Sequence, residues 1–204
     1  MAALDPSLRG DVLAGLRDVI TDLAIPTLLV THDFEEAAAL ADRIGVLVDG
    51  RLLQVGTPSE LVASPKDAFV ASFTGANVIS GRASPTPTGL TEVRLQDGRV
   101  VYSTDPADGD VVVVVYPWDV AVALHSPDDS MLNHLEAPIS SIVTFGNRAR
   151  VRLGEIVAEL TTASADRLEL AEGLTAVASF KATATRLIAR SRGPAVAAPP
   201  VDRQ

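Results

Sequence analysis

The sequence has 204 residues, 47% of them hydrophobic, which is enough apolar material for a packed core and removes intrinsic disorder as the default. A formal net charge of -9 argues against a general nucleic-acid-binding or anionic-membrane surface. With no cysteine there are no disulfides or thiolate metal sites, and the longest apolar run, residues 111–116, is far too short to span a bilayer.

No signal-peptide pattern opens the chain, so a soluble protein is expected, with any membrane association made through a partner. Asp5-Pro6 is a good helix start: Asp5 can cap free amides, and Pro6 at the first helical position loses no needed hydrogen bond. Leu8, Val12, Leu16, Val19 and Leu23 then recur at helical spacing and predict an amphipathic helix of roughly five turns. Residues 27–30, Thr-Leu-Leu-Val, read as a short buried strand ending in Thr31-His32-Asp33. An alanine-rich helix follows, with Glu35 and Glu36 in its first turn, where carboxylates suit the positive end of the helix dipole. A histidine between strand end and helix start occupies the place where open α/β sheets put ligand contacts, although taken alone it reads first as an ordinary strand-end histidine.

Two apolar runs around Asp49-Gly50 predict a tight hairpin, because both residues tolerate positive φ. Thr57 and Glu60 form a capping box with Pro58 at the first helical position. Ser64-Pro65 ends that helix, and a second short one presents Phe69, Val70 and Phe73 as an apolar face. Gly75-Ala76-Asn77 marks a boundary, after which helical periodicity gives way to short β-rich runs. Residues 85–89 read as a loop, and residues 91–95, 99–103, 111–116 and 120–124 as strands. A second set covers 138–144, 148–153, 156–161, 176–180 and 185–189. The sets are loosely alike: each pairs adjoining strands, then places an acidic-Gly turn, Asp108-Gly109 or Glu172-Gly173, before a final pair. Small closed β-barrels of the oligonucleotide-binding type suit this pattern, because closure removes exposed edges. Nucleic acid is disfavoured as a partner by the acid excess and by only 4% aromatic residues. His125 and His134 lack metal-ligand spacing and read as surface histidines, and Trp118 is expected to pack against a barrel end. The proline- and alanine-rich residues 191–204 read as a disordered tail.

From residue 27 to 60 the order of elements resembles the end of the nucleotide-binding subunit of ABC transporters. The resemblance makes His32 the switch histidine that reaches the nucleotide γ-phosphate, and Ala3, Leu4 and Asp5 the D-loop at the dimer interface. Residues 56–81 resemble the linker of importer-type subunits for oxyanions, polyamines or sugars. The family's P-loop, glutamine loop, signature and Walker B strand would lie before the D-loop, and no G-x-x-x-x-G-K-[ST] pattern occurs here. Without such a loop no run of amides plus lysine holds the phosphates, and without Walker B carboxylates nothing evident holds Mg2+. ATP and Mg2+ are therefore cofactors of a complete family member, and this chain alone is expected not to hydrolyse ATP.

A second resemblance covers about residues 133–188. Thr161-Thr162-Ala163-Ser164, Gly173 and Phe180-Lys181-Ala182-Thr183 resemble the Mop molybdate-binding module, itself similar to the TOBE appendage of ABC importers. It implies a tetrahedral oxyanion at a subunit interface, with Ser130, Asn133, Ser164, Lys181, Ala182 and Thr183 as candidate contacts. Leu132 stands where the Mop pattern has arginine, which removes a cation from that site. Read without the resemblance, Ser164 is a helix cap and Lys181 a solvated strand residue.

The expected fold is an α/β remnant of an ABC ATPase domain (1–75), an all-β, OB-like TOBE/Mop tandem barrel (76–190) and a disordered tail (191–204). The expected function is the carboxyl-terminal part of a molybdate-type importer ATP-binding subunit, with a regulatory oxyanion-binding and dimerisation domain. The resemblance implies a homodimer, permease partners, an upstream ATPase fragment and a cytoplasmic location at the inner face of the plasma membrane. A stand-alone cytoplasmic oxyanion-binding module and an inactive truncated subunit are the alternatives.

Overall fold

The computed structural model describes residues 6–23 and 25–190, so Ala3, Leu4 and Asp5, and the tail at 191–204, lie outside the described residues. The first helix, α1 (Pro6–Leu23), has the length that the apolar spacing predicts. Its Val12, Leu16 and Val19 remain exposed.

Residues 25–30 differ from expectation. They form no strand, and Leu28 and Val30 are 92% and 88% exposed. A strand needs neighbours to take its amides and carbonyls, and among the described residues none pairs with this run. Helix α2 (Phe34–Leu40) starts at Asp33, whose carboxylate accepts the Glu36 N–H. Strands β1 (Ile44–Val48) and β2 (Arg51–Gly56) form a hairpin with a positive φ at both Asp49 (47°) and Gly50 (74°), the twist a two-residue loop requires. The capping box forms at α3 (Pro58–Ala63), and Asp67 caps α4 (Ala68–Phe73). Ala37, Ile44, Val46, Leu61 and Val70 build a small core here, closed by the edge-to-face pair Phe34 and Phe73.

The rest of the described chain is almost entirely β-sheet. The first half contributes β3 (Asn77–Pro85), β4 (Thr91–Leu95), β5 (Val100–Ser103), β6 (Gly109–Val115) and β7 (Ala121–Ala123). The second contributes β8 (Asn133–Phe145), β9 (Arg148–Leu153), β10 (Ile156–Thr161), helix α5 (Thr162–Arg167), β11 (Thr175–Phe180) and β12 (Arg186–Ala189). Two of these depart from the sequence reading: β3 is absent from it, and β8 begins five residues before the expected 138. Both escape because their apolar positions are interrupted by Gly81, Arg82, Glu136 and Pro138.

The strands make two five-stranded sheets of order β5-β4-β3-β6-β12 and β10-β9-β8-β11-β7. The sheets match strand for strand, and the last strand of each half completes the sheet of the other. The expected tandem is therefore interlocked, and a single core runs through it from Ile79 and Val113 to Leu135 and Phe180. Gly109 (φ 90°) and Gly173 (φ 86°), from the two acidic-Gly turns, take matching left-handed conformations, Gly109 as the first residue of β6 and Gly173 two residues before β11. Helix α4 lies on the outer face of the first sheet, with Ala71 against Val112 and Val114.

Candidate functional site

His32 is exposed, immediately before the cap of α2. The turn around it is held by the Thr31 hydroxyl, which accepts the Asp33 N–H at 3.1 Å and donates to the Glu36 carboxylate. Glu36 is thus committed to the local turn, and Glu35 stands 4.0 Å from Arg150 of β9.

The second constellation is assembled by the β8–β11 ladder, whose register sets Phe180 opposite Asn133. Ser130, Met131 and Leu132 precede β8, and Lys181, Ala182 and Thr183 follow β11, so the register brings the two groups to one end of the sheet. Ser130, Lys181 and Thr183 are exposed, whereas Ala182 is buried. A short 3-10 turn, Ala182–Ala184, begins at Lys181, whose carbonyl accepts the Thr185 hydroxyl at 2.9 Å. Leu132 is 52% exposed at the same end.

Two of the expected contacts are placed differently. Asn133 is fully buried, and its side chain is spent inside the fold. Its Oδ1 accepts the Tyr102 N–H at 2.6 Å, and its Nδ2 donates to the Tyr102 carbonyl at 3.0 Å and to the Thr185 hydroxyl at 3.2 Å. Ser164 lies at the other end of β8, where Thr162 N–H reaches the Asn147 carbonyl beside Phe145 and Arg148. The ladder therefore does not bring Ser164 to Lys181 within one chain. Nor is Ser164 the cap of α5: Thr161 caps it, accepting the Ser164 N–H at 3.1 Å.

Two neighbours of this end, and one residue at its counterpart in the first half, were not legible as site residues. His134, expected at the surface, is half-buried, with Nδ1 2.9 Å from the Ser179 hydroxyl. Asp129 accepts the Met131 N–H at 2.7 Å, which puts a carboxylate beside the exposed Ser130. Tyr116 ties the amino-terminal segment to the sheets: its hydroxyl donates to the Val62 carbonyl at 2.9 Å and lies 2.8 Å from the Thr74 hydroxyl. Burial raises its phenol above the ordinary value, against the opposing effect of the Thr74 bond. Trp118 is 55% exposed and stacks on Tyr116 at 4.5 Å rather than closing a barrel end. Tyr116 and Lys181 are counterparts, each leading from the fourth strand of its half into a 3-10 turn.

Residues 129–187 match the TOBE domain family. The chain is 31% identical to the molybdate/tungstate import ATP-binding protein WtpC of Pyrococcus horikoshii, over 90% of this chain and 53% of that protein. It is 34% identical to the sulfate/thiosulfate import ATP-binding protein CysA of Mycolicibacterium paratuberculosis, over 93% of this chain and 50% of that one. It is also 34% identical to the spermidine/putrescine import ATP-binding protein PotA of Trichormus variabilis, over 72% and 40%. The chain thus spans about half the length, or less, of the curated relatives it matches. Among solved structures it resembles the cytoplasmic molybdate-binding protein ModG with molybdate bound, at a TM-score of 0.52 and 23% identity. That match covers 57% of this chain and 98% of ModG, and it supports a shared fold. Among the described residues no helix is long and apolar enough to cross a membrane.

Proposed function

We propose, from the premise that this chain carries a TOBE domain and is homologous over most of its length to ABC importer ATP-binding subunits, that it is the distal part of such a subunit. Residues 1–75 are then the end of the ATPase domain, and the interlocked sheets are its regulatory oxyanion-binding unit. The observation that carries the oxyanion reading is the β8–β11 register, which gathers Ser130 with Lys181 and Thr183 at one exposed end.

In this reading Lys181 supplies the cation, while Ser130, Thr183 and the backbone of Ala182 supply donors to an oxyanion such as molybdate, whose oxygens only accept hydrogen bonds. Asn133 builds the wall and makes no ligand contact. Ser164, remote within one chain, enters from a second copy, so the site is completed by dimerisation. One lysine, no arginine at Leu132 and a nearby Asp129 carboxylate offset little of the desolvation cost of a dianion, so binding is weak. His32 and the D-loop residues Ala3, Leu4 and Asp5 meet ATP and Mg2+ only beside the missing P-loop and Walker B elements, whether in an upstream fragment or a longer chain. Permease subunits hold that assembly at the inner face of the membrane.

Calorimetry with molybdate, tungstate and sulfate, alongside light scattering, tests this. A dimer that binds one of the three and loses binding in both Lys181→Ala and Ser164→Ala is expected. A monomer that binds none of them overturns the proposal. A second reading, a stand-alone cytoplasmic oxyanion-binding module, draws on the match to 98% of ModG. It is favoured if the β-sheet unit binds oxyanion equally well without residues 1–56.

A further inference from the structure

The outer face of the first sheet carries a row of charges set by strand register alone. Arg94 on β4 stands directly opposite Arg82 on β3, Arg82 opposite Asp110 on β6, and Arg190 follows β12 with its N–H on the Asp110 carbonyl at 3.0 Å. Side chains on alternate positions share a face. The inward Gly81, Ala83, Val93 and Val111 therefore leave Arg82, Arg94 and Asp110 pointing outward. With strands about 4.8 Å apart, the row from Arg94 to Arg190 spans about 14 Å.

Like charges directly opposite one another in an antiparallel pair are destabilising, and the carboxylates present do little to offset this pair. Asp110 is 3.7 Å from Arg82 on the side away from Arg94, and Glu92 is 3.4 Å from Arg94, two residues along the same strand. Arg82 and Arg94 side chains are 76% and 66% exposed, and Arg190 makes no ion pair among the described residues. Most of the five N–H donors of each guanidinium are therefore free. Ser80, Gln96 and Asp110, whose carboxylate is turned to Arg82, join these arginines around a shallow cleft of about 390 Å³.

We infer that this cleft binds a phosphate-type polyanion, with Arg82 and Arg94 clamping one phosphoryl group and Arg190 reaching the next. Planar guanidinium forks match the oxygens of such groups two at a time. An anion between Arg82 and Arg94 converts a repulsive cross-strand pair into two attractive ones. The site is independent of the proposed oxyanion site, which lies at the ends of β8 and β11.

Calorimetry and thermal unfolding with pyrophosphate and inorganic phosphate test the inference on the full chain. Saturable pyrophosphate binding is expected, tighter than phosphate and weakening steeply with salt. Arg94→Gln and Arg190→Gln should each weaken it at least tenfold, while Lys181→Ala leaves it unchanged. Arg94→Gln should also leave the ligand-free melting temperature equal or higher, because repulsion is relieved, while abolishing the rise that pyrophosphate gives the wild type. No saturable pyrophosphate binding, or binding unaffected by both arginine variants, overturns the assignment. Retention on phosphatidic-acid vesicles without pyrophosphate binding overturns it in favour of a lipid surface.

Discussion

Asn77 and Asn133 hold the same place in the two halves, and each closes a two-bond amide bridge onto a strand of the other half. Asn77 opens β3 and binds the N–H and carbonyl of Val157 on β10, at 2.7 and 2.8 Å. Asn133 opens β8 and binds those of Tyr102 on β5, at 2.6 and 3.0 Å. A primary amide offers one acceptor and donors in a plane, so it continues a β ladder where the backbone of its own strand cannot. The pair is a molecular staple between the halves, and with the exchanged strands it explains why they share one core.

Substituting either asparagine should therefore destabilise the whole β unit, not one half. Each Asn→Ala change leaves a backbone N–H and carbonyl without partners in a partly buried setting, a cost of about 1–3 kcal/mol. Chemical denaturation of Asn77→Ala and Asn133→Ala should give similar losses in one cooperative transition. Two separated transitions in either variant would contradict the shared core. If the β8–β11 end binds an oxyanion as proposed, Asn133→Ala should weaken that binding in proportion to stability only, because the Asn133 amide is bonded to Tyr102 and Thr185 inside the fold.

Tyr116 provides a test of how the amino-terminal segment is held. Tyr116→Phe keeps the ring stacked on Trp118 but removes the bonds to Val62 and Thr74, at a cost of about 1–2 kcal/mol. Limited proteolysis should then cut faster within residues 58–74, with the two sheets intact. The pH dependence follows from the raised phenol value. A group whose folded value lies above its unfolded value contributes stability fully below the unfolded value, about 10 for tyrosine. That contribution disappears as pH rises through the folded value. Wild type should therefore lose more stability than Tyr116→Phe above pH of about 10, and parallel curves would refute the point.

Much of this architecture is legible in the sequence, and the gaps have definite causes. Local signals held: the Asp49-Gly50 turn, the capping box at Thr57 and Glu60, and strands β4, β9 and β10 lie where turn chemistry and alternation put them. The failures involve partners distant in sequence. The 27–30 run has strand composition, but among the described residues it has no neighbour to pair with. The exchange of β7 and β12 leaves no local trace, because strands of three and four residues carry too little pattern to say which sheet receives them. Asn133 is the same case at the site: a motif match shows that an asparagine is present, but not that its amide faces inward to Tyr102. Ser164 and Lys181 are both readable, yet only the ladder separates them.

The packing of α4 bears on where a β fragment that folds alone should begin. A boundary at residue 76 would strip Ala71 from Val112 and Val114, exposing apolar side chains on the outer face of β6. It would also remove the Thr74 partner of Tyr116. A fragment of residues 65–190 should therefore melt higher than one of residues 77–190, by an amount set by one helix's burial, about 2–3 kcal/mol. Equal melting temperatures would mean that α4 adds nothing to the sheet it covers.

The sharpest test of the interlocked topology is removal of the last strand. Ending the chain at Thr185 deletes β12, which is last in sequence but pairs with β6 of the first half, Leu187 opposite Val113 and Ile188 opposite Val112. Leu187 packs into the shared core, and Ile188 lies beside α4 on the outer face, so both layers of the first half lose a wall. The bond from the Leu187 N–H to the Asp105 carboxylate also goes. Amide hydrogen exchange should quicken first in β6 and in α4, while β9 and β10, the far edge of the other sheet, stay protected longest. If β12 instead closed the sheet of its own half, exchange would quicken around β11 and β8 with β6 unaffected. That outcome would refute the strand exchange.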